Sequence, residues 1–188
     1  MTPACCVPVD PADRGKICIK LEIKAYDPCP IHMGVPCECE KVLVGEIVKE
    51  DDLATKQFAQ FVQALLLNST QSITDTASVA HSVANASATT APTILAGTGA
   101  TAATVLDVAL QTQTEFIAAT VGAYSGAGLT GNFTVTGTIT AAALRAYVEV
   151  GLRVTNGGFD YLICRDTFST LNVSASGTLQ VSYTITFS

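Results

Sequence analysis

Charge is what this chain has least of. Asp, Glu, Lys and Arg make up 14% of its 188 residues, and no Lys or Arg occurs between Lys56 and Arg145. Only Asp75, Asp107 and Glu115 are acidic in that stretch. A monomer ordinarily keeps itself soluble with mixed surface charge, so this poverty suits a subunit packed among copies of itself. Ten scattered basic residues against sixteen acidic ones leave a net charge of −6. Nucleic acid needs a basic patch, and none is expected here. Long apolar runs are also missing. Although 48% of the residues are hydrophobic, Ala and Val stand where charge usually stands, and no run reaches bilayer length. Met1 to Cys6 offers no basic start followed by an apolar segment, so no secretory signal is expected. Gly-x-Ser-x-Gly is absent, which removes the nucleophile elbow. His81 sits in a plain Ser/Ala stretch and is expected to lie far from any orienting acid. Asp51 and Asp52 fall where a helix cap wants them. No catalytic set is expected, and the chain reads as a non-enzyme.

What is present is period two. Phe133, Val135, Gly137 and Ile139 alternate with Thr134, Thr136, Thr138 and Thr140. Leu179, Val181, Tyr183, Ile185 and Phe187 alternate with Thr178, Gln180, Ser182, Thr184 and Thr186. Alternation of this kind puts one set of side chains into a core and the other on a polar face. At this length a domain buries roughly 70% of its unfolded-chain surface, enough for a core without staples.

Three zones are expected. Residues 1–50 form a Cys/Pro-rich N-terminal arm or hairpin, with a strand over Ile17 to Ala25, a loop over Tyr26 to Cys39 and a second strand over Lys41 to Val48. Residues 51–92 hold an amphipathic helix, capped by Asp51 or Asp52 and running through Asn68, followed by a Ser/Thr/Ala-rich connector. The helix stripe of Leu53, Phe58, Phe61, Val62, Leu65 and Leu66 is expected to dock on a sheet or a neighbouring subunit. The connector fits a linker, an extended arm or a lightly packed strand pair. Residues 93–188 form an antiparallel β-sandwich, jelly-roll or Ig-like. Its strands fall at Thr93 to Gly97, Glu115 to Tyr124, Asn132 to Thr140, Arg145 to Val154, Gly158 to Cys164 and Gly177 to Phe187, with a short helix over Ala102 to Leu110. Asn156-Gly157 is a hairpin signal. Tyr183 and Phe187 are expected to join the helix stripe in subunit contacts.

Cys29, His32, Cys37 and Cys39 place four soft ligands within eleven residues, and a tetrahedral zinc set is one reading. Cys-x-Cys is tighter than the usual gap. Disulfides among Cys5, Cys6, Cys18, Cys29, Cys37 and Cys39, or free thiols, are the others, and six cysteines permit fifteen pairings. Cys164 reads as a small buried residue. Asp160, Arg165 and Asp166 read as a solvated strand end or as ion pairs. Gly97-Thr-Gly99-Ala-Thr-Ala102 brushes the dinucleotide fingerprint. The strands after it alternate as antiparallel strands do, so a tight turn is the better reading.

Three stretches are also familiar as a set. They are Gly97-Thr-Gly99 with Asp107-Val-Ala-Leu110 and Glu115; Glu149-Val-Gly-Leu152; and Arg165-Asp-Thr-Phe168-Ser with Leu171-Asn-Val173 and Gly177-Thr-Leu179-Gln-Val181-Ser-Tyr183-Thr-Ile185. In order and spacing they resemble a class of tailed-bacteriophage structural proteins, over roughly residues 90 to 188. The resemblance implies a non-enzymatic β-sandwich of the virion, made in the host cytoplasm. The role it implies is a capsid decoration or cement protein binding the major capsid protein or neighbouring virion proteins, with a tail, neck or fibre subunit as the alternative. It carries over no catalytic residue. A homo-oligomer, a trimer, is the expected state, with neither nucleic acid nor membrane as partner.

Overall fold

A computed structural model describes residues 17–28, 41–50, 54–67, 70–84, 92–127 and 130–187. Among the described residues twelve strands and one helix follow in chain order: β1 Ile17–Asp27, β2 Val42–Lys49, α1 Lys56–Leu67, β3 Gln71–Thr74, β4 Ala80–Val83, β5 Thr93–Gly97, β6 Gln113–Ala118, β7 Thr120–Val121, β8 Ser125–Ala127, β9 Thr130–Thr140, β10 Arg145–Asn156, β11 Phe159–Val173 and β12 Thr178–Phe187. All pairings are antiparallel. The largest sheet runs β2-β1-β12-β9-β7 with β8 also on β9, a smaller one facing it runs β11-β10-β5-β6, and β3 and β4 pair as a two-stranded third. The fold is an antiparallel β-sandwich, as the alternation predicts.

The core sits between the two sheets. Leu21, Ile23, Val181, Tyr183, Val135 and Ile139 from the larger sheet meet Ile94, Tyr147, Val150 and Leu152 from the smaller. Register explains the alternation. Thr138 faces Gln180, Thr136 faces Ser182 and Thr134 faces Thr184, so the hydroxyl set lines the outer face. The N-terminal hairpin belongs to this sandwich. Ile19, Leu21, Ile23 and Ala25 of β1 are core, and β1 pairs along β12 from Ile17 to Tyr26. A boundary between residues 50 and 93 is therefore not a boundary in the sheet.

Several expected elements come out differently. The segment Glu115 to Tyr124 is not one strand. It breaks at Ala119, whose N–H bonds Pro92 O at 2.8 Å, and β6 and β7 belong to different sheets. Ser125 to Ala127, a turn signal, pairs with β9 instead. Ala102 to Leu110 is not a helix, because its polar groups bond to one another and to the neighbouring sheet. Strand β11 continues nine residues past Cys164, to Val173. The β10–β11 turn is made by Gly157 and Gly158 at φ +60° and +85°, a left-handed pair that favours glycine.

The helix also starts later than Asp51 and Asp52 suggest, with no acidic residue in its first turn. Ala54 is bridged to Cys164. Thr55 gives its N–H to Ile163 O at 2.8 Å and its hydroxyl to Leu162 O at 2.6 Å. Pairing with β11 holds the chain extended up to Lys56 and outcompetes an earlier cap. Phe61 then buries its ring edge-on to Tyr161, centroids 5.1 Å apart, a burial worth about 1.5–3 kcal/mol. Of the three readings left open for the connector, a strand pair is what forms: β3 and β4 make a hairpin that sends Ile73 and Val83 into the core.

Candidate functional site: a buried polar clamp and exposed apolar groups

The motif residues converge. Between β5 and β6 the chain leaves the sheet at Gly97 and returns at Gln113, crossing the outer face of the smaller sheet. Leu110 from this excursion packs with Leu95 and Leu162, a second apolar cluster outside the main core. Beside it lies Glu149, fully buried. Its carboxylate accepts N–H bonds from Gly99 (3.0 Å), Gln111 (3.0 Å) and Thr112 (2.7 Å). Arg165 supplies the opposing charge. Its Nε lies 3.0 Å and its Nη2 2.9 Å from Glu149 Oε2, and Nη1 donates to Asp107 Oδ2 at 2.6 Å. Nη2 also reaches Thr101 O at 3.0 Å. A buried carboxylate is tolerable only when paired and fully bonded, and Glu149 meets both conditions.

Small residues make room for this clamp. A Cβ on Gly97 would stand 2.4 Å from Thr112 O and 2.6 Å from Glu149 Oε1; one on Gly99 would also meet Glu149. A Cβ on Gly151 would meet Leu110 Cδ1 at 2.5 Å. Burial pushes the Asp107 carboxyl up. Bonds from the Thr104 N–H and hydroxyl and from Arg165 outweigh that and leave its pKa below the ordinary value. Arg165 is opposed by burial and raised by Asp107 and Glu149. Nearby, burial likewise opposes ionisation of Glu115, and bonds from Thr114, Arg145 and Tyr147 lower it on balance. The clamp holds three backbone N–H groups and three ionised side chains, Glu149, Arg165 and Asp107, in place.

His81 corrects an expectation. Its Nε2 lies 3.0 Å from Asp75 Oδ2, and its ring stacks on Phe159 with centroids 3.5 Å apart. The β3–β4 turn folds His81 back onto Asp75, six residues earlier, a contact that the unpatterned Ser/Ala sequence conceals. Asp75 is a turn organiser: it accepts N–H bonds from Val79 (2.8 Å) and Ala77 (2.9 Å). The Val79 bond is foremost in holding its pKa low. Of the charges near the β10–β11 hairpin, Asp160 pairs with Arg153 at 3.1 Å and Asp166 with Lys49 at 2.6 Å. Arg165 and Asp166 are buried, so the solvated strand end does not describe them.

The predicted contact residues divide. Phe58, Phe61 and Val62 border an apolar cavity of about 260 Å³. Phe187 is part-exposed and stacks with Phe133 at 6.1 Å. Tyr183 is fully buried within the chain's own core, which removes it from any face open to a partner. Leu53 lies outside the described residues, as does the side chain of Leu65. Cys29, His32, Cys37 and Cys39 also lie outside them; among the described residues no three His, Cys, Asp or Glu groups are placed to hold a metal. Cys164 is buried, as read. Sequence reasoning missed the exposed apolar groups: Val42, Leu43, Val44 and Val48 on edge strand β2, Phe116 and Ile117 on edge strand β6, and Val105 and Leu106 in the excursion. No family model, no curated protein and no solved structure matches the chain.

Proposed function

We propose that this chain is a virion structural subunit that decorates and cements a bacteriophage head, working as a homo-oligomer, a trimer, against the major capsid protein. The observation that carries the reading is the distribution of apolar groups left outside the core. Both sheets end in edge strands, β2 and β6, that present large apolar side chains. An edge strand with exposed Val and Leu is a template for another chain, and proteins ordinarily blunt such edges. The resemblance to tailed-phage structural proteins supports the same reading. Of its motif residues, Gly97, Gly99, Asp107, Glu149 and Arg165 meet at the clamp, which supports reading those motifs as architectural. Each contact buries apolar surface at about 25 cal/mol per Å². Many copies acting together then resist internal pressure through avidity.

The test is antibody against residues 125–158, applied to intact particles and viewed by electron microscopy. Label spread over the head is the expected result. Label confined to the tail or neck would replace cement with the connector or fibre role, and particles without label would remove the virion reading.

A further inference from the structure

The excursion between β5 and β6 carries an unusual β-turn. Asp107 N–H bonds Thr104 O at 3.1 Å, which leaves Val105 and Leu106 at the two corner positions. Corner positions ordinarily take Gly, Pro, Asn or Asp. Here they hold two aliphatic residues, 50% and 70% exposed. The turn is also held rigidly. Asp107 takes the Thr104 N–H and hydroxyl at 2.8 and 2.9 Å and Arg165 at 2.6 Å, and Val105 O accepts the Lys56 N–H at 2.8 Å. A buried ion network thus supports a small apolar knob in solvent.

An apolar socket lies along α1, the helix whose Lys56 N–H holds the turn. The 260 Å³ cavity opens between α1 and the β7–β9 edge, lined by Phe58, Val62, Val121 and Phe133 at its side and by Leu152 and Ile163 deeper in. Its lining is apolar throughout, and Val105 and Leu106 do not line it. Val121 stands half-exposed among these groups. An apolar cavity of about 150 Å³ already stays dry and accepts a benzene-sized guest. This one has room for a leucine with its neighbouring valine.

We infer that the Val105–Leu106 turn of one copy seats in the Phe58/Val62/Val121/Phe133 cavity of the next copy. The contact is heterologous, since different patches meet, and such contacts close into rings when the rotation permits. The knob is pre-ordered by Arg165 and Asp107, so little conformational freedom is lost on docking. The inference rests on the assembly reading above and names the surfaces that carry it.

Analytical ultracentrifugation of the full chain, L106D, V121D and their equimolar mixture tests it. Wild type is expected to sediment as a closed oligomer of the 19.5 kDa chain. Each variant is expected to weaken association more than about tenfold, as loss of a central apolar anchor does. L106D keeps an intact socket and V121D an intact knob, so the mixture is expected to form a one-to-one complex that neither variant forms alone. Circular dichroism guards against misfolding, and V121S replaces V121D if the charge disrupts β7. Variants that assemble like wild type would overturn the knob-and-socket contact while leaving the assembly reading intact. A mixture that stays monomeric would overturn the pairing of knob with socket. Wild type monomeric at about 0.1 mM would overturn both.

Discussion

The two outer faces of this sandwich are finished in opposite ways. Over the smaller sheet the chain lays its own β5–β6 excursion, sealed by Leu95, Leu110 and Leu162 and tied by Glu149 and Arg165. Over the larger sheet the β9–β12 half is left as rows of Thr, Ser and Gln. Only its β1–β2 half carries charge, in the pairs Lys24–Glu22, Lys24–Glu46 and Lys20–Glu50. One face is closed from within by buried ions in a chain that has few ions to spend. Among the described residues, the β9–β12 half of the other carries no charge. The contrast teaches that the scarce charges of residues 57 to 144 are not solubilising groups: Asp107 and Glu115 pair with Arg165 and Arg145, and Asp75 with His81.

Breaking the closed face is expected to have the largest effect. Glu149→Ala strands three backbone N–H groups and leaves the Arg165 guanidinium with Asp107 as its one remaining ionic partner. Removing one partner of a buried pair costs about 3–5 kcal/mol, to be read as a lower urea midpoint. Gly97→Ala drives a methyl against Thr112 O and Glu149 and is expected to cost about 1–3 kcal/mol in the same assay. Acid should act on the same region. The folded-state pKa values of Asp107, Glu115 and Asp75 are depressed. Their contribution is therefore complete above the ordinary carboxylate range and fades as pH falls through the depressed values. Thermal midpoints recorded from neutral pH downward should hold and then drop below about pH 4. Asp107→Asn should flatten part of that drop. The open face should be the least sensitive: Thr136→Ala and Thr138→Ala are expected to change stability by no more than about 0.5 kcal/mol. A large loss at Thr138 would mean that this face is already engaged within the single chain.

Period two was legible because it reports burial locally. Val135, Ile139, Val181, Tyr183 and Ile185 are core as their alternation requires, and the β1–β2 pairing followed from the same pattern. Non-local events were not legible. Thr55 and Ala54 reach β11 more than a hundred residues away, and that contact, not Asp51 or Asp52, sets where the helix begins. Arg165 and Asp166 look like the charged end of a strand until Glu149, Asp107 and Lys49 arrive from three other segments. The glycines of the Gly97-Thr-Gly99 turn were recognisable as a motif. Their reason, room for the Glu149 carboxylate, lies fifty residues downstream. His81 was misread because only the folded hairpin turn brings Asp75 to it.

Amide hydrogen exchange, measured residue by residue on dilute and on assembled protein, tests most directly the claim that one face is closed by the chain and the apolar remainder by its copies. The Gly99, Gln111 and Thr112 amides should be protected to the level of global unfolding in both samples. Amides of β2, β7 and residues 104–106 should gain protection only on assembly. Fast exchange at the three clamp amides in either sample, or no gain at the apolar edges on assembly, would contradict the account.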